Sequence, residues 1–288
     1  MHPLKHPSLP FDMNTIQAAA LRARVVVTSP IRKARNRRLN RRGTAPMFVP
    51  FYHRVANTHP NDWTISRGEF SRHVDYCQSR FDLIGLDEVQ RRVNRNHSPR
   101  PSVTFTFDDG YAENMDFALP LLAERQIPCV YFVCVDAIEN QTPFPHDVEA
   151  GVRLPVNTVS DLREMSQWGI EVGLHTRSHV DFSTVTDPAV IYDEIHNAKQ
   201  RLEDIVGDQV RYFAFPYGLP AQLTRPAIEA VSEAGMQGFC SAFGAYNLVG
   251  RDSFHVRRFH GDPNFSRFEN WLSFDPAKVA NEPKVDYP

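Results

Sequence analysis

The sequence has few cysteines, and none of them is arranged as a metal or redox motif. Among its 288 residues are only Cys77, Cys129, Cys134 and Cys240, and no two of them form a CxxC pair. Cys129 and Cys134 lie in one apolar run, where their odd offset on a strand places them on opposite faces and excludes a shared ion. We therefore expect four buried free thiols, and nothing here requires an oxidising compartment.

Long apolar runs are also missing. No stretch approaches the ~20 apolar residues that a transmembrane helix requires. The run Val25–Val27 near the N-terminus is too short for the apolar core of a signal peptide. These absences predict a protein in the cytoplasm or at the periphery of a membrane. The net charge of -2 gives the whole chain no bias toward nucleic acid, so we expect no nucleic-acid partner.

The first 46 residues differ in composition from the rest and predict a basic N-terminal extension, partly helical or disordered. The pattern of residues 14–42 indicates a helix whose second half, Arg32–Arg42, is rich in arginine. A basic segment of this kind binds an anionic membrane surface or nucleic acid, or forms a solvated leader, and the last interpretation is favoured. Gly43 and Pro46 mark the boundary with the next segment.

Residues 47–275 alternate strand patterns with helix patterns and predict one domain, which a tail at 276–288 follows. The strand patterns include Met47–His53, Val103–Phe107, Cys129–Val135 and Ile170–Leu174. Repeated β-then-α units are typical of a parallel sheet with helices outside. Seven or eight such strands favour a closed barrel over an open sheet.

Two adjacent carboxylates, Asp108 and Asp109, follow the strand pattern Val103–Phe107, and Gly110 then begins a turn. In parallel α/β folds, catalytic residues gather at the C-terminal ends of strands. Two like charges this close are costly unless a cation or a proton neutralises them. The dipeptide alone is also compatible with a solvated turn, so it needs a second observation.

His175 and His179 supply that second observation, because they follow the strand pattern Ile170–Leu174. Two histidines four residues apart can bind one ion if the chain turns helically between them, although they could also be surface residues. With one aspartate from the other strand end they form a three-ligand site with open positions, which is typical of catalytic metals. Imidazole and carboxylate suit zinc, and also cobalt, nickel or iron. The second aspartate is then free to take a proton from water at the ion.

A third strand end, Phe213–Gly218, contains Pro216, Tyr217 and Gly218. Such a turn can direct a backbone N–H toward an oxyanion, but it is equally compatible with an ordinary end of a strand.

The three segments together resemble the NodB-homology polysaccharide deacetylases, carbohydrate esterase family 4. Asp108 and Asp109 match the TFDD motif, His175–His179 matches H-[ST]-x-x-H, and Pro216 with Tyr217 resembles R-x-P-[YF]. The segment Pro50–Val55 looks like the YHRV opening of the poly-N-acetylglucosamine deacetylase branch. The resemblance implies a distorted (β/α) barrel of about seven parallel strands. It also implies removal of N-acetyl groups from N-acetylglucosamine polymers, and sometimes of O-acetyl groups or acyl groups of other N-acyl sugars.

By position, the resemblance also implies roles for individual residues. Asp108 would be the general base, and the Tyr217 backbone amide would stabilise the tetrahedral intermediate. Asp109, His175 and His179 would bind one divalent metal ion, for which we expect zinc.

One departure from the family pattern concerns the arginine that pairs with the base. Ala214 stands where many members have that arginine, and the nearby Arg211 points to the opposite strand face because its offset is odd. Arg258, near the end of the last strand pattern, could replace it with a charge-assisted pair. We therefore predict that Arg258 orients Asp108.

A second departure concerns the general acid, because the late leucine-x-histidine motif of the family has no obvious copy. His260 shares a strand face with Arg258, and barrel closure would bring it beside the strand that carries Asp108. We predict that His260 is the general acid, since the pKa of a histidine lies near working pH. His146, with Asp147 on a Pro-rich loop, is the rival candidate.

The sequence is also compatible with two other functions. The missing arginine would fit a metal-binding carbohydrate-binding module that has lost turnover. An amidohydrolase acting on a small non-sugar amide would use the same site. The three tryptophans and 20 phenylalanines do not decide between a sugar and a small amide.

Overall fold

The computed structural model describes residues 15–285 and 287, in which short strands alternate with helices as the sequence predicts. Residues 1–14 of the predicted extension lie outside the described residues. The strands are β1 (Met47–Phe48), β2 (Pro50–Tyr52), β3 (Arg54–Val55), β4 (Thr64–Ile65), β5 (Asp82–Leu83), β6 (Ser102–Val103), β7 (Phe105–Phe107), β8 (Cys129–Val133), β9 (Glu171–Leu174), β10 (Tyr212–Ala214), β11 (Gly238–Cys240), β12 (His255–Val256) and β13 (Phe259–His260).

The helices surround these strands. They are α1 (Thr15–Arg42), α2 (Arg67–Gln78), α3 (Leu86–Asn94), α4 (Ala118–Glu124), α5 (Val135–Asn140), α6 (Pro145–Glu149), α7 (Val159–Gln167), α8 (Pro188–Tyr192), α9 (Ala198–Val206), α10 (Arg225–Glu233), α11 (Phe265–Trp271) and α12 (Pro276–Ala280). A 3₁₀ turn, Ala112–Asn114, precedes α4, and a π-helical turn, Asp193–Asn197, joins α8 to α9.

Eight strands form one parallel sheet in the order β12-β11-β10-β9-β8-β7-β2-β13. The edge strands β12 and β13 are separated in sequence only by Arg257 and Arg258. Because so short a link cannot cross an open sheet, the sheet curls until its two edges come together at this seam. The prediction of a distorted (β/α) barrel is confirmed, with eight parallel strands where about seven were expected.

The barrel strands are buried on both faces, as expected for a parallel sheet covered by helices. Alternate residues of β8 and β10 divide between two apolar clusters. One cluster holds Val130, Phe132, Tyr212 and Ala214, and the other holds Tyr131, Val133, Phe213 and the following Phe215. All four cysteines are buried and free, which confirms that prediction.

Helix ends follow local sequence signals. Thr158 caps α7 by accepting from the N–H of Asp161, whose carboxylate accepts from the N–H of Thr158 in return. Gly207 ends α9 in the left-handed conformation, with φ +74°, where a residue without a side chain avoids strain. These caps fix where the chain leaves each helix and returns to the barrel.

Helix α1 contacts the C-terminal part of the chain near α11. Arg32 Nη2 donates to Asn270 Oδ1 at 3.0 Å, and Arg35 Nη1 donates to the Phe274 carbonyl at 3.4 Å. Other arginines of the basic stretch are exposed, namely Arg37, Arg38, Arg41 and Arg42. Among the described residues, no helix has the length and apolar character needed to cross a bilayer.

Candidate metal and catalytic site

Polar side chains converge at the carboxyl edge of the barrel. His53 follows β2, Asp108 and Asp109 follow β7, His175 follows β9, and Tyr217 lies in the turn after β10. These strands belong to one parallel sheet, so their carboxyl ends open to the same side. The barrel thereby brings together groups that are far apart in sequence.

The three predicted ligands meet at one point. Asp109 Oδ1 lies 3.4 Å from Nε2 of His175 and 3.4 Å from Nε2 of His179. One donor atom of each residue lies within 4.8 Å of the others. Asp109 and His175 are buried and His179 is half-buried, so the cluster is open on the His179 side.

The hydrogen bonds around this cluster leave the atoms that could bind a metal facing one another. His175 Nδ1 lies 2.7 Å from the Ala214 carbonyl, which can only accept, so Nδ1 carries a proton, and in the neutral form of the ring Nε2 turns a lone pair toward Asp109. Within the described part of the chain, Asp109 Oδ1 is buried without a hydrogen-bond partner. Because two acceptors facing each other repel, a cation between them would relieve the conflict. One carboxylate oxygen and two imidazole nitrogens therefore fit a divalent ion of the zinc type.

The charges around the cluster also favour a cation. Burial alone would raise the pKa of Asp109, but His53, His175 and His179 hold that pKa well below its ordinary value. Burial would lower the pKa of His175, but Asp109 and Asp108 outweigh this effect and raise it above its ordinary value. The two aspartates thus give the site a negative potential that a positive charge stabilises.

The backbone adopts an unusual conformation at the site. Asp109, Thr176, His179 and Tyr217 have φ values of +74°, +68°, +62° and +60°. Such left-handed values are uncommon for residues other than glycine and cost about 1–3 kcal/mol each. Local hydrogen bonds offset this strain; for example, the His179 N–H donates to Thr176 Oγ1 at 2.8 Å. Two of these strained residues, Asp109 and His179, carry side chains of the three-residue cluster.

Arg258 and Asp108 form a buried bidentate ion pair. Arg258 Nη1 donates to Asp108 Oδ1 at 2.7 Å, and Nη2 donates to Oδ2 at 2.9 Å. The Arg258 Nε–H donates to the Ser241 carbonyl at 2.9 Å, and the guanidinium is fully buried. Asp108 is therefore paired with an arginine although residue 214 is alanine. Arg211 points elsewhere, since its Nε donates to Glu171 at 2.8 Å.

His260 does not lie beside the strand that carries Asp108, and the prediction that barrel closure would place it there is wrong. β13 pairs with β2, and β2 pairs with β7, so a whole strand separates them. In the pairing of β13 with β2, His260 lies opposite Phe51, one residue further from the carboxyl edge of the barrel than Tyr52. Burial, together with the nearby His53, lowers the pKa of His260 to about 3, so its ring is neutral at neutral pH.

His53 is the site residue that sequence reasoning missed. It follows β2 directly, and the Asp108 N–H donates to the Tyr52 carbonyl at 2.9 Å, which places His53 next to Asp108. Its ring centroid lies 4.6 Å from that of Trp63, and its Nδ1 is buried without a partner among the described residues. Burial lowers the pKa of His53, while Asp109 and Asp108 oppose that lowering. His53 lies in the YHRV segment directly after a strand, so the expectation that polar residues at strand ends gather at one site could have identified it.

The 3₁₀ turn after Gly110 holds the His53 segment in place. Asn114 Nδ2 donates to the His53 carbonyl at 2.7 Å, and Asn114 Oδ1 accepts from the Val55 N–H at 2.9 Å. Glu113 accepts from the fully buried Arg54 at 2.8 Å. The turn that begins at the two aspartates therefore also fixes the end of β2.

The remaining predicted groups lie at the rim of the site. The Tyr217 side chain is 40% exposed, and its ring centroid lies 5.3 Å from that of His179. His146 lies on α6, where its Nε2 is 3.0 Å from the Tyr111 hydroxyl. The Phe144 ring contacts both His146 and His179, with centroid distances of 5.6 Å to each.

Known proteins resemble this chain in sequence and in fold. YxkH of Bacillus subtilis (strain 168), whose name places it among the polysaccharide deacetylases, is 22% identical over 195 residues. That match spans 67% of this chain and 63% of YxkH, which is less than two thirds of the relative.

Solved structures share the fold. The deacetylase PplD of Streptococcus pyogenes, in complex with acetate, has a TM-score of 0.67 at 17% identity, covering 80% of this chain and 99% of PplD. IcaB of Ammonifex degensii has a TM-score of 0.65 at 25% identity, covering 79% of this chain and 97% of IcaB. A de-N-acetylase of Aggregatibacter actinomycetemcomitans has a TM-score of 0.66 at 21% identity, covering 78% and 99%.

The sequence pattern of the polysaccharide deacetylase family matches residues 95–239, half of the chain, and this stretch includes Asp108, Asp109, His175, His179 and Tyr217. The resemblance that the motifs indicate is therefore confirmed. The chain belongs to the polysaccharide deacetylase family.

Proposed function

We propose that the protein removes N-acetyl groups from glycans that contain N-acetylglucosamine, with one divalent metal ion, expected to be zinc. The observation that carries this proposal is the buried Asp108–Arg258 pair next to the cluster of Asp109, His175 and His179. Membership of the family supports deacetylation of a carbohydrate. The structural relative from Aggregatibacter, a de-N-acetylase, supports the choice of an amide over an ester.

Asp109, His175 and His179 would hold the ion. When bound, a divalent ion lowers the pKa of water toward ~7 and polarises a carbonyl oxygen. The Ala214 carbonyl keeps the His175 ring in the tautomer that presents Nε2. The left-handed turn at Tyr217 and Gly218 would direct a backbone N–H toward the oxygen on which negative charge develops.

Asp108 would act as the general base that takes the proton of the attacking water. Its neighbour Asp109 belongs to the ligand set, which leaves Asp108 for proton transfer. Arg258 holds both carboxylate oxygens by its two parallel N–H bonds, so the orientation of the base is fixed before a substrate arrives. Arg258 is thus a positioning residue for Asp108.

His53 would give the leaving nitrogen its proton, a role that we assign to it in place of His260. An amide nitrogen must be protonated before it can depart. His53 lies beside Asp108 at the carboxyl edge of the barrel, whereas His260 lies one strand further away and deeper. Burial lowers the pKa of His53, and the negative charges of Asp109 and Asp108 partly offset that lowering, whereas no aspartate is among the groups that shift the pKa of His260.

Two alternatives have different support. A binding module without turnover would fit a chain that lacks the arginine beside the base, but Arg258 makes that pair with Asp108. Hydrolysis of a small non-sugar amide would use the same residues. The release of acetate from a panel of substrates separates these possibilities.

The test compares N-acetylglucosamine oligomers, O-acetylated glycans and small N-acetyl amides, each with the metal-stripped and the zinc-loaded chain. We expect acetate and free amine in equal amounts from the N-acetylglucosamine oligomers, and only with metal. His175→Ala serves as the matched control without the ion. Turnover confined to small amides would favour the alternative enzyme, and no turnover on any substrate would favour the binding module.

We also propose weak association with anionic membranes through the exposed arginines of α1, which are Arg37, Arg38, Arg41 and Arg42. Each basic residue near such a surface contributes about 1 kcal/mol. Sedimentation with vesicles of anionic lipid should show binding that salt weakens and that Arg37→Glu with Arg38→Glu removes. Equal sedimentation of this variant and the wild type would leave these arginines as a solvated surface.

A further inference from the structure

A buried carboxylate holds the loop between the two ligand histidines. Glu194 is 6% exposed, and its Oε2 accepts from the backbone N–H groups of Arg177 at 3.0 Å and Ser178 at 2.9 Å. Its Oε1 accepts from Ser178 Oγ at 2.5 Å. The three donors all belong to the segment between His175 and His179.

The position of Glu194 in its helical segment is unusual for a charged residue. It lies three residues after the buried Ile191 and four before the buried Ala198, on the face that packs against the core. A carboxylate on such a face is costly unless hydrogen bonds compensate for the loss of water. Glu194 also lies in the π-helical turn Asp193–Asn197, and such turns are frequent at functional sites. Its three hydrogen bonds to the loop supply that compensation.

The loop is held from its other side as well. The Val135 N–H donates to the Thr176 carbonyl at 3.3 Å, and the Asp136 N–H donates to the Arg177 carbonyl at 2.9 Å. Glu194 therefore accepts hydrogen bonds from the N–H groups of this short loop. The first N–H groups of α5 donate to the carbonyls of the same loop. Thr176 and His179, at the ends of this clamped segment, are the two residues of the segment with left-handed backbone.

We propose that Glu194 is a positioning residue for the metal site, since it fixes the backbone that aims His179 at Asp109. This inference rests on the proposed function, because it concerns the same ion. Glu194 acts through the loop rather than on the ion. Without its carboxylate, the Arg177 and Ser178 N–H groups would lose their acceptor, and the loop that leads into the strained His179 would lose the bonds that hold its backbone.

The test measures zinc affinity of the full chain by competition with a chromophoric chelator. Glu194→Ala should bind zinc about 10–100-fold more weakly, the usual effect of losing a group that orients a ligand. Glu194→Gln keeps an amide oxygen for the two N–H groups, so its affinity should fall by only about 3–10-fold. Asp193→Ala is the matched control, because Asp193 binds the exposed Arg177 side chain at 2.7 Å and not the loop backbone. It should keep the wild-type affinity within about 3-fold.

Each outcome decides the inference. Wild-type affinity in Glu194→Ala would overturn it, and so would an equal loss in Glu194→Ala and Asp193→Ala, which would indicate general destabilisation. If Glu194→Ala does not fold, as judged by circular dichroism, Glu194→Gln decides, and unchanged affinity in that variant would overturn the proposal. A wild-type chain that binds no divalent ion would instead overturn the proposed function, and this inference with it.

Discussion

The proposed ligand half of the site and its proposed proton-transfer half are assembled over different distances along the chain. The ligand half consists of Asp109 after β7 and of two histidines within one five-residue segment after β9. The proton-transfer half joins Asp108 to Arg258, which is 150 residues away in the sequence, and to His53 at the end of β2. One half thus depends on local backbone geometry and the other on barrel closure.

The two halves should therefore tolerate different changes. The ligand half is built on left-handed residues that nearby hydrogen bonds hold, so its failure should release the ion and leave the barrel intact. Arg258 lies at the seam between β12 and β13, and its Nε–H also binds the Ser241 carbonyl after β11. Changes there should affect both the base and the closure of the barrel.

The largest expected effect concerns the ligand half. His175→Ala and His179→Ala should each abolish stoichiometric metal binding, because two remaining ligands do not hold a catalytic ion. Elemental analysis of the purified variants measures this directly, and circular dichroism should show an intact fold. Full metal content in both variants would remove these histidines from the ligand set.

Asp108→Asn tests whether the two halves are separable. This variant should keep its metal and its fold but lose a factor of about 10²–10⁴ in kcat, the usual weight of a general base. Kinetics with an N-acetylglucosamine oligomer and elemental analysis of the same sample give both quantities. Wild-type turnover would assign the base to another group.

His53 and His260 can be compared by replacing each with glutamine and measuring the rate and its pH profile. His53→Gln should lose about 10²-fold in rate on an amide and lose the basic limb of the pH profile, since a general acid stops working as pH rises through its pKa. The loss should be much smaller on an activated ester, whose leaving group needs no proton. His260→Gln should keep both limbs, because burial leaves the His260 ring neutral with a pKa of about 3. The opposite pattern would return the acid role to His260.

Arg258→Lys should have a smaller effect. Lysine keeps the charge but not the two parallel bonds, and losing one charge-assisted bond costs about 1.5–3 kcal/mol, or roughly 10–100-fold in rate. In the Asp108→Asn background the same change should add little, because Arg258 acts through Asp108. Independent, additive effects in this double-mutant cycle would mean that Arg258 has a separate role.

The barrel and the ligand cluster could be predicted because both depend on local patterns. Strand and helix periodicities alternate along the chain, and the ligands follow strand ends within two short motifs. The alanine at position 214 and the strand pattern around Arg258 together predict the pairing of Arg258 with Asp108. The structure places the two side chains in contact as that prediction expects.

The position of His260 could not be predicted, because it depends on which strands pair. The pattern Met47–His53 indicates one strand, but the structure divides it into β1, which pairs with β6, and β2, which enters the barrel between β13 and β7. Local periodicity does not encode pairing partners that lie this far apart in the sequence. The role of Glu194 has a sequence signal, a carboxylate on an apolar helical stripe, but its partners lie 16 residues away in a loop.

The most direct test of the account joins the ion to the chemistry in one sample. The metal-stripped chain is titrated with zinc while acetate release from an N-acetylglucosamine oligomer and bound zinc are both measured. We predict that turnover rises in proportion to bound zinc, reaches its maximum at one ion per chain, and stays at the background level in His179→Ala. Full turnover by the metal-stripped chain, or zinc binding without any deacetylation, would contradict the account.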